Sequence, residues 1–244
     1  MEQLKVGAHH LGLTITEKQL AQFKVLYELL VEWNQKFNLT AITELDQVQI
    51  RHFLDSLSCL LAFQQYKPGQ EGLLSCIDIG SGAGFPGLPL KIYCPRLKML
   101  LLEATGKKVG FLQHTIARLG LQHITAMKGR AEEMGQDPAH RELYDVVLAR
   151  AVADLSILVE YMLPFCRLGG LVIAQKGVSA QEETRAAEYA ISVLGGRVRK
   201  VMPIELVGLA EVRYLVLIEK VARTPPLYPR RPGMPSKRPL RPKA

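Results

Sequence analysis

The chain has 244 residues, 48% of them hydrophobic and 22% charged, with a formal net charge of +8. That describes a globular protein with a sizeable core, either one large domain or a domain plus an appendage. No run of 18 apolar residues occurs and the start, Met1-Glu2-Gln3-Leu4-Lys5, has no apolar signal region, so secretion and membrane spanning are excluded from the expectations. The charge is unevenly placed. Thr224 to Ala244 contains Arg230, Arg231, Lys237, Arg238, Arg241 and Lys243 and no acid, so the tail carries six of the eight net charges. A nearly neutral globule with a cationic tail points to a polyanionic partner. The four cysteines, Cys59, Cys76, Cys94 and Cys166, are far apart and form no C-x-x-C pair, which predicts reduced thiols in a cytoplasmic protein. The histidines show no metal spacing, and no metal site is expected.

Residues 1–70 read as a helical N-terminal extension. Thr16-Glu17-Lys18-Gln19 matches a capping box, and Leu20, Phe23, Leu26, Tyr27, Leu30, Trp33 and Phe37 follow at helical spacing. A second helix is predicted from Asp46 to about Gln65, with Val48, Phe53, Leu57, Leu60 and Leu61 inward. Arg51, His52 and Asp55 share one face of it, read first as a solvated face with a local charge pair and second as a substrate-facing patch. Lys67-Pro68-Gly69-Gln70 breaks the pattern.

From 71 to 223 apolar strands alternate with amphipathic helices. Strands are predicted near 74–79, 98–103, 123–128, 144–149, 168–175, 197–204 and 212–220, and helices near 85–94, 107–119, 154–165 and 180–194. This predicts an α/β domain with a mostly parallel sheet covered on both faces. The last two strands have no helix between them and must form an antiparallel hairpin. A dehydrogenase would instead continue with another βαβ half.

The chain is organised around Leu73-Leu74-Ser75-Cys76-Ile77-Asp78-Ile79-Gly80-Ser81-Gly82-Ala83-Gly84-Phe85-Pro86-Gly87: an apolar strand, a glycine turn, then a helix-like segment. Such a turn holds a nucleotide-like ligand at the carboxyl end of the first strand, and Pro86 suits a first helical turn. Gly82-x-Gly84-x-x-Gly87 also fits a dinucleotide fingerprint. Asp78 two residues before Gly80, however, resembles the first motif of class I S-adenosylmethionine methyltransferases. A carboxylate there would repel a pyrophosphate but suit the cationic ligand. Glu103, closing the second strand 19 residues after Gly84, could accept both ribose hydroxyls, or stand as a strand-end acid beside Lys107 and Lys108. Ala131-Glu132 could face the adenine, or form an acidic helix start.

The fourth strand ends Asp145-Val146-Val147-Leu148-Ala149-Arg150-Ala151, where the acceptor should lie. It carries no Asn/Asp-Pro-Pro-aromatic stretch for amine methylation and no Pro-Cys for a covalent carbon-5 mechanism. Arg150 cannot act as a base, so an acceptor that already owns a lone pair, such as guanine N7, fits a site working by positioning. Arg150 could equally pair with Asp78 or Glu132. The tail, 224–244, has a proline every few residues and is predicted to be extended, neither helix nor central strand, with Tyr228 available for stacking. Six cations on single-stranded RNA imply a log–log salt slope of about −4 at most.

Asn38-Leu39-Thr40, Arg51-His52-Phe53-Leu54-Asp55-Ser56-Leu57, the Asp78-to-Gly87 loop, Arg130-Ala131-Glu132, Ala149-Arg150-Ala151 and Tyr228-Pro229-Arg230-Arg231-Pro232-Gly233 together resemble the bacterial small-subunit ribosomal RNA methyltransferase G family, also called glucose-inhibited division protein B. The resemblance runs from about residue 12 to 240. It implies a Rossmann-like, seven-stranded class I methyltransferase fold that uses S-adenosylmethionine to methylate N7 of guanine 527 in the 530 loop of 16S rRNA. It implies cofactor contacts at Asp78, Gly80, Gly82, Gly84, Phe85, Glu103, Ala104, Thr105, Ala131, Glu132 and Arg150, with Arg150 also positioning the acceptor. Arg51, His52, Lys107, Lys108, Arg230, Arg231, Lys237 and Arg238 are then the candidate RNA contacts, in a cytoplasmic monomer acting on the small ribosomal subunit. Glu103 stands where the family commonly has Asp, and residues 241–244 extend the tail. The competing expectations are an NAD(P)-dependent oxidoreductase and a non-enzymatic rRNA-binding assembly factor.

Overall fold

The computed structural model describes residues 1–63 and 74–242. Two helices open the chain, α1 (Glu2–His10) and α2 (Glu17–Asn34). α2 begins where the capping box predicts. The Gln19 N–H donates to Thr16 Oγ1, and the Thr16 N–H donates to Gln19 Oε1. Phe23, Leu26 and Leu30 are buried as expected and Leu29 joins them, whereas Leu20, Tyr27 and Trp33 are only partly buried. Phe37 lies past the helix end.

The second expected helix is broken. It runs as α3 (Leu45–Val48), a π-helical stretch Gln49–Leu54, α4 (Asp55–Leu57) and α5 (Leu60–Phe63). The wider π turns rotate the side chains that follow, and such stretches gather at functional sites. Val48, Phe53, Leu57 and Leu60 face inward as predicted, and Leu61 is partly buried. The predicted end near Gln65, the Lys67–Gln70 break and the 70/71 boundary lie outside the described residues.

Seven strands follow: β1 (Ser75–Ile79), β2 (Lys98–Glu103), β3 (Ile124–Lys128), β4 (Tyr144–Arg150), β5 (Cys166–Lys176), β6 (Gly196–Ile204) and β7 (Arg213–Lys220). They form one sheet in the order β3-β2-β1-β4-β5-β7-β6. All neighbours run parallel except β7, which pairs antiparallel with both β5 and β6. The helices between are α6 (Gly87–Tyr93), α7 (Gly106–Leu119), α8 (Ala131–Met134), α9 (Leu155–Met162) and α10 (Ala180–Val193).

The central strands are buried on both faces, which is why they read as largely apolar runs. Cys76, Val146 and Leu148 join a cluster with Phe23, Phe53, Leu88 and Phe111, so the N-terminal helices share a core with the sheet. Ile77, Val147 and Val172 face Leu158, Val159 and Ile191 on the other side. Strand order reverses direction between β1 and β4, and the crevice at their carboxyl ends is where such sheets bind ligands. Cys59, Cys76 and Cys166 are buried and Cys94 half-buried, all as free thiols.

The tail departs from expectation. It contains a short helix, α11 (Met234–Lys237), and it folds back onto the sheet's second face. Tyr228 and Leu240 are partly buried there, so Tyr228 is not the free stacking platform that its proline-rich setting predicts. Proline excludes helix interiors but permits a first turn, and Pro235 sits in that position.

Candidate active site

A cavity of about 550 Å³ opens at the carboxyl ends of β1, β2 and β4, within the range of small-molecule sites (about 300–1,000 Å³). The glycine loop forms its floor. Gly80, Gly82 and Phe85 line it. Gly80 takes φ +68°, and a Cβ there would stand 2.9 Å from a Val152 methyl group, so only glycine lets the two loops meet. Gly84 has another task. Its missing Cβ makes room for Leu88, which would otherwise be 2.3 Å away, and Gly84 does not reach the cavity. The helix begins two residues later than expected, with Pro86 as N-cap before Gly87.

Asp78 does not serve as expected either. It is fully buried and outside the cavity lining, with Oδ2 accepting from the Gly87 N–H at 3.0 Å. Burial pushes its carboxyl up to about 7 against that hydrogen bond. Through Oδ2 it ties the loop to the start of α6.

Glu103 does reach the cavity. Its Oε2 accepts from the Gly82 N–H at 3.0 Å and its Oε1 from the Thr105 N–H at 2.8 Å. A carboxylate has about four acceptor sites, so two remain for a ribose diol. The same contact places negative charge on the glycine loop, where a dinucleotide needs its pyrophosphate. S-adenosylmethionine, cationic at both ammonium and sulfonium, fits this donor set; a dinucleotide does not. Ala104, Lys108, Ala131 and Glu132 complete this end. Thr105 is tied to Glu103, and the Lys107 ammonium lies 5.2 Å over the Phe37 ring. Glu132, mostly buried, accepts from the Gly233 N–H at 3.0 Å.

Across the cavity lies the end of β4. Arg150 is held by Asp55, not by Asp78 or Glu132: its Nη1 donates to Asp55 Oδ2 at 3.0 Å and to the Arg51 carbonyl at 2.8 Å. Asp55 is 1% exposed and also takes Arg213 Nε at 3.1 Å. The first reading of the Arg51/His52/Asp55 face, solvated with a local pair, is therefore overturned. The π-helical turns aim His52 and Asp55 inward, and only Arg51 stays at the surface, 3.5 Å from Glu211. His52 stacks on Phe85 with ring centroids 4.6 Å apart, and Arg150 lies 5.2 Å over the same ring. His52 Nδ1 lies 3.2 Å from Arg150 Nη2 and 3.1 Å from the Arg51 carbonyl, and its Nε2 is 2.8 Å from Thr40 Oγ1, so both ring nitrogens are engaged. Burial first, then the Arg150 charge, holds this imidazole down at about 4.

The tail cations divide. Arg230 is committed: Nε donates to Glu160 Oε1 at 2.9 Å and Nη2 to Oε2 at 2.6 Å, with Glu160 1% exposed. Its guanidinium is thus engaged by Glu160, while Arg231, Lys237 and Arg238 are exposed. Sequence reasoning missed Thr40, Tyr161 and Ser236 as lining residues and Arg213 as a partner of Asp55. The motif Asn38-Leu39-Thr40 was the one signal for Thr40; nothing local marks the others. Among the described residues no cluster of His, Cys, Asp or Glu could hold a metal ion, and no helix is long and apolar enough to cross a membrane.

Comparison with known proteins agrees with this geometry. The family model for rRNA small subunit methyltransferase G (GidB) matches residues 19–207. Proteins named ribosomal RNA small subunit methyltransferase G are 48% identical over 239 residues in Pelotomaculum thermopropionicum, covering 98% of both chains, and 50% identical over 240 residues in Roseiflexus castenholzii, covering 98% and 100%. Among solved structures, geranyl diphosphate C-methyltransferase from Streptomyces coelicolor, in complex with S-adenosyl-L-homocysteine, superposes with TM-score 0.51 at 13% identity over 69% of this chain and 80% of that one. The [4+2]-cyclase SpnF does so with TM-score 0.53 at 13% identity, over 69% and 82%. A fold shared with a cyclase fixes architecture and not chemistry; the sequence relatives do more. On the family match and these relatives, this chain belongs to the rRNA small subunit methyltransferase G family, whose cofactor is S-adenosylmethionine.

Proposed function

We propose that this chain transfers a methyl group to N7 of guanine 527 in the 530 loop of 16S rRNA within the small ribosomal subunit, acting as a cytoplasmic monomer. The observation that carries the choice of acceptor is that the end of β4 presents no free base. Arg150 cannot take a proton. His52 has Nδ1 occupied by Arg150 and Nε2 facing Thr40, and its depressed basicity suits structure better than proton transfer. An exocyclic amine must shed a proton around the time of transfer; guanine N7 offers a bare lone pair.

S-adenosylmethionine supplies an electrophilic methyl group on its sulfonium. The residues here bind, orient and exclude. Glu103 has acceptor sites left for the ribose, the Gly80–Gly82 backbone allows close approach, and Phe85 with His52 offers a flat apolar wall beside Arg150. Holding donor and acceptor in line is itself the main source of rate in such a transfer. The exposed Arg231, Lys237 and Arg238 supply phosphate contacts.

The test is transfer of labelled methyl from S-adenosylmethionine to small ribosomal subunits lacking the modification, mapped by cleavage at 7-methylguanine. One modified guanine in the 530 loop is the expected product. Label on an exocyclic nitrogen, or none on subunits and free RNA despite cofactor binding, would refute the acceptor.

A further inference from the structure

The cavity has a wall that does not come from the methyltransferase sheet. Ser236, in the short tail helix α11, lines it together with Tyr161 of α9, and the Ser236 hydroxyl donates to the Gly233 carbonyl at 3.1 Å. One turn earlier the Gly233 N–H donates to Glu132, which lines the same end. Gly233 takes φ +80° with open space where a Cβ would be, so its conformation, not crowding, calls for glycine there.

This placement is fixed by anchors far away in the chain. The Arg230 N–H and guanidinium both bind the buried Glu160 of α9. Arg141 donates to the carbonyls of Thr224, Pro225, Tyr228 and Gly135. Gln136 donates to the carbonyls of Pro226 and Pro229. A proline-rich segment makes few backbone hydrogen bonds of its own, and here side chains from the α8–β4 connection and α9 supply them. A loosely attached arm for RNA needs none of this.

We propose that residues 229–238 are a wall of the nucleoside end of the cofactor site, with Tyr161 and Ser236 presenting hydroxyls to the ligand, so that tail docking and cofactor binding are one coupled equilibrium. The inference rests on the assignment of S-adenosylmethionine as cofactor and goes beyond it. By linkage, whatever factor the docked tail adds to ligand affinity, the ligand adds to tail docking.

Trypsin reads that coupling on the unmodified chain. Arg231, Arg238 and Arg241 each precede proline and resist cleavage, so the bonds after Arg230 and Lys237 report an undocked tail. Saturating S-adenosylhomocysteine should slow both cuts about tenfold, since cleavage follows the open population. In a second arm, Glu160→Gln weakens the Arg230 anchor without touching the cavity. Its dissociation constant for S-adenosylhomocysteine should rise about tenfold, equivalent to about 1.4 kcal/mol. 5′-Methylthioadenosine, which has the nucleoside but no amino acid, should lose the same factor. If Glu160→Gln does not fold, the protection measurement decides alone. Ligand binding to the parent chain without protection overturns the proposal and leaves the cofactor assignment intact. Failure of the parent chain to bind S-adenosylhomocysteine overturns both.

Discussion

Asp55 is the residue whose loss should do most damage. Its carboxylate is 1% exposed and holds Arg150 and Arg213 on opposite oxygens, at 3.0 and 3.1 Å. The Arg150 side chain is 12% exposed and that of Arg213 29%. Asp55→Ala leaves Arg150 charged and largely buried without a counter-ion, a situation that costs about 3–5 kcal/mol. The more exposed Arg213 pair adds at most about 1 kcal/mol. The sum approaches the whole stability of a marginal domain, about 5–15 kcal/mol. Asp55→Asn is the usable variant. It keeps size and one acceptor, and should lose about 1.5–3 kcal/mol, the range for hydrogen bonds to charged groups. Urea unfolding of Asp55→Asn, Arg150→Gln and the double variant gives the coupling between them. A coupling of about 1.5 kcal/mol or more is expected. Additive effects within about 0.5 kcal/mol would mean that Asp55 does not hold Arg150, and the account of the acceptor end would fall.

The thermal shift on adding S-adenosylmethionine tests Glu103. At 100 times its dissociation constant a ligand adds about 2.7 kcal/mol, and Glu103→Ala should abolish that gain; a parent-sized shift removes the ribose role. His52 gives stability a pH dependence with a definite sign. Its folded value of about 4 lies below the ordinary histidine value of 6.5, so the unfolded chain takes up the proton first. Stability is fully present above about 6.5 and declines towards pH 4, by roughly 3 kcal/mol at 1.36 kcal/mol per unit. The buried Asp78, raised to about 7 from 3.8, acts with the opposite slope over the same window. Urea midpoints of His52→Gln against the parent between pH 4 and 7.5 isolate the histidine, and parallel curves would contradict its assignment. In the tail, neutralising Arg231, Lys237 and Arg238 together should reduce the log–log salt slope of RNA binding by about 2, at about 0.7 per contact. Arg230→Gln should leave the slope unchanged, since its guanidinium serves Glu160; a drop equal to that of the exposed cations would show that Arg230 does reach phosphate.

The sheet was legible because its signals are local. A strand buried on both faces is apolar through its middle, as Met99 to Leu102 are in β2 and Val146 to Ala149 in β4. Glu103 was legible for a similar reason: fold geometry puts an acid at the end of the second strand beside the glycine loop. Asp55 was not, since its partner Arg150 is 95 residues away and in sequence it looks like any helical acid on a solvated face. The π-helical stretch that turns it inward leaves no mark in hydrophobic spacing. Asp78 was seen as important, but a motif records that an acid is needed and not which way it points; here its Oδ2 takes the Gly87 N–H. The tail was misread as extended since proline propensity is local, while Arg141, Gln136 and Glu160, which fold it, are not.

The two ends of the cavity are built on different electrostatic plans, and the difference follows the chemistry. At the glycine loop, carboxylates face in: Glu103 and Glu132, with backbone N–H donors on their other sides. That end suits a ligand carrying hydroxyls and positive charge. At the end of β4 Arg150 stands beside an uncharged His52, with Asp55 turned away from the cavity and spent on two guanidiniums. A carboxylate exposed there would attract the sulfonium away from the acceptor and offer a base that the proposed transfer to N7 does not use. Burying Asp55 removes that competitor while its charge still fixes Arg150, and through Arg150 the His52 ring stacked on Phe85. Pre-set orientation of this kind is what an in-line transfer to a bare lone pair demands. A site built to strip a proton from an amine would place its acid the other way round.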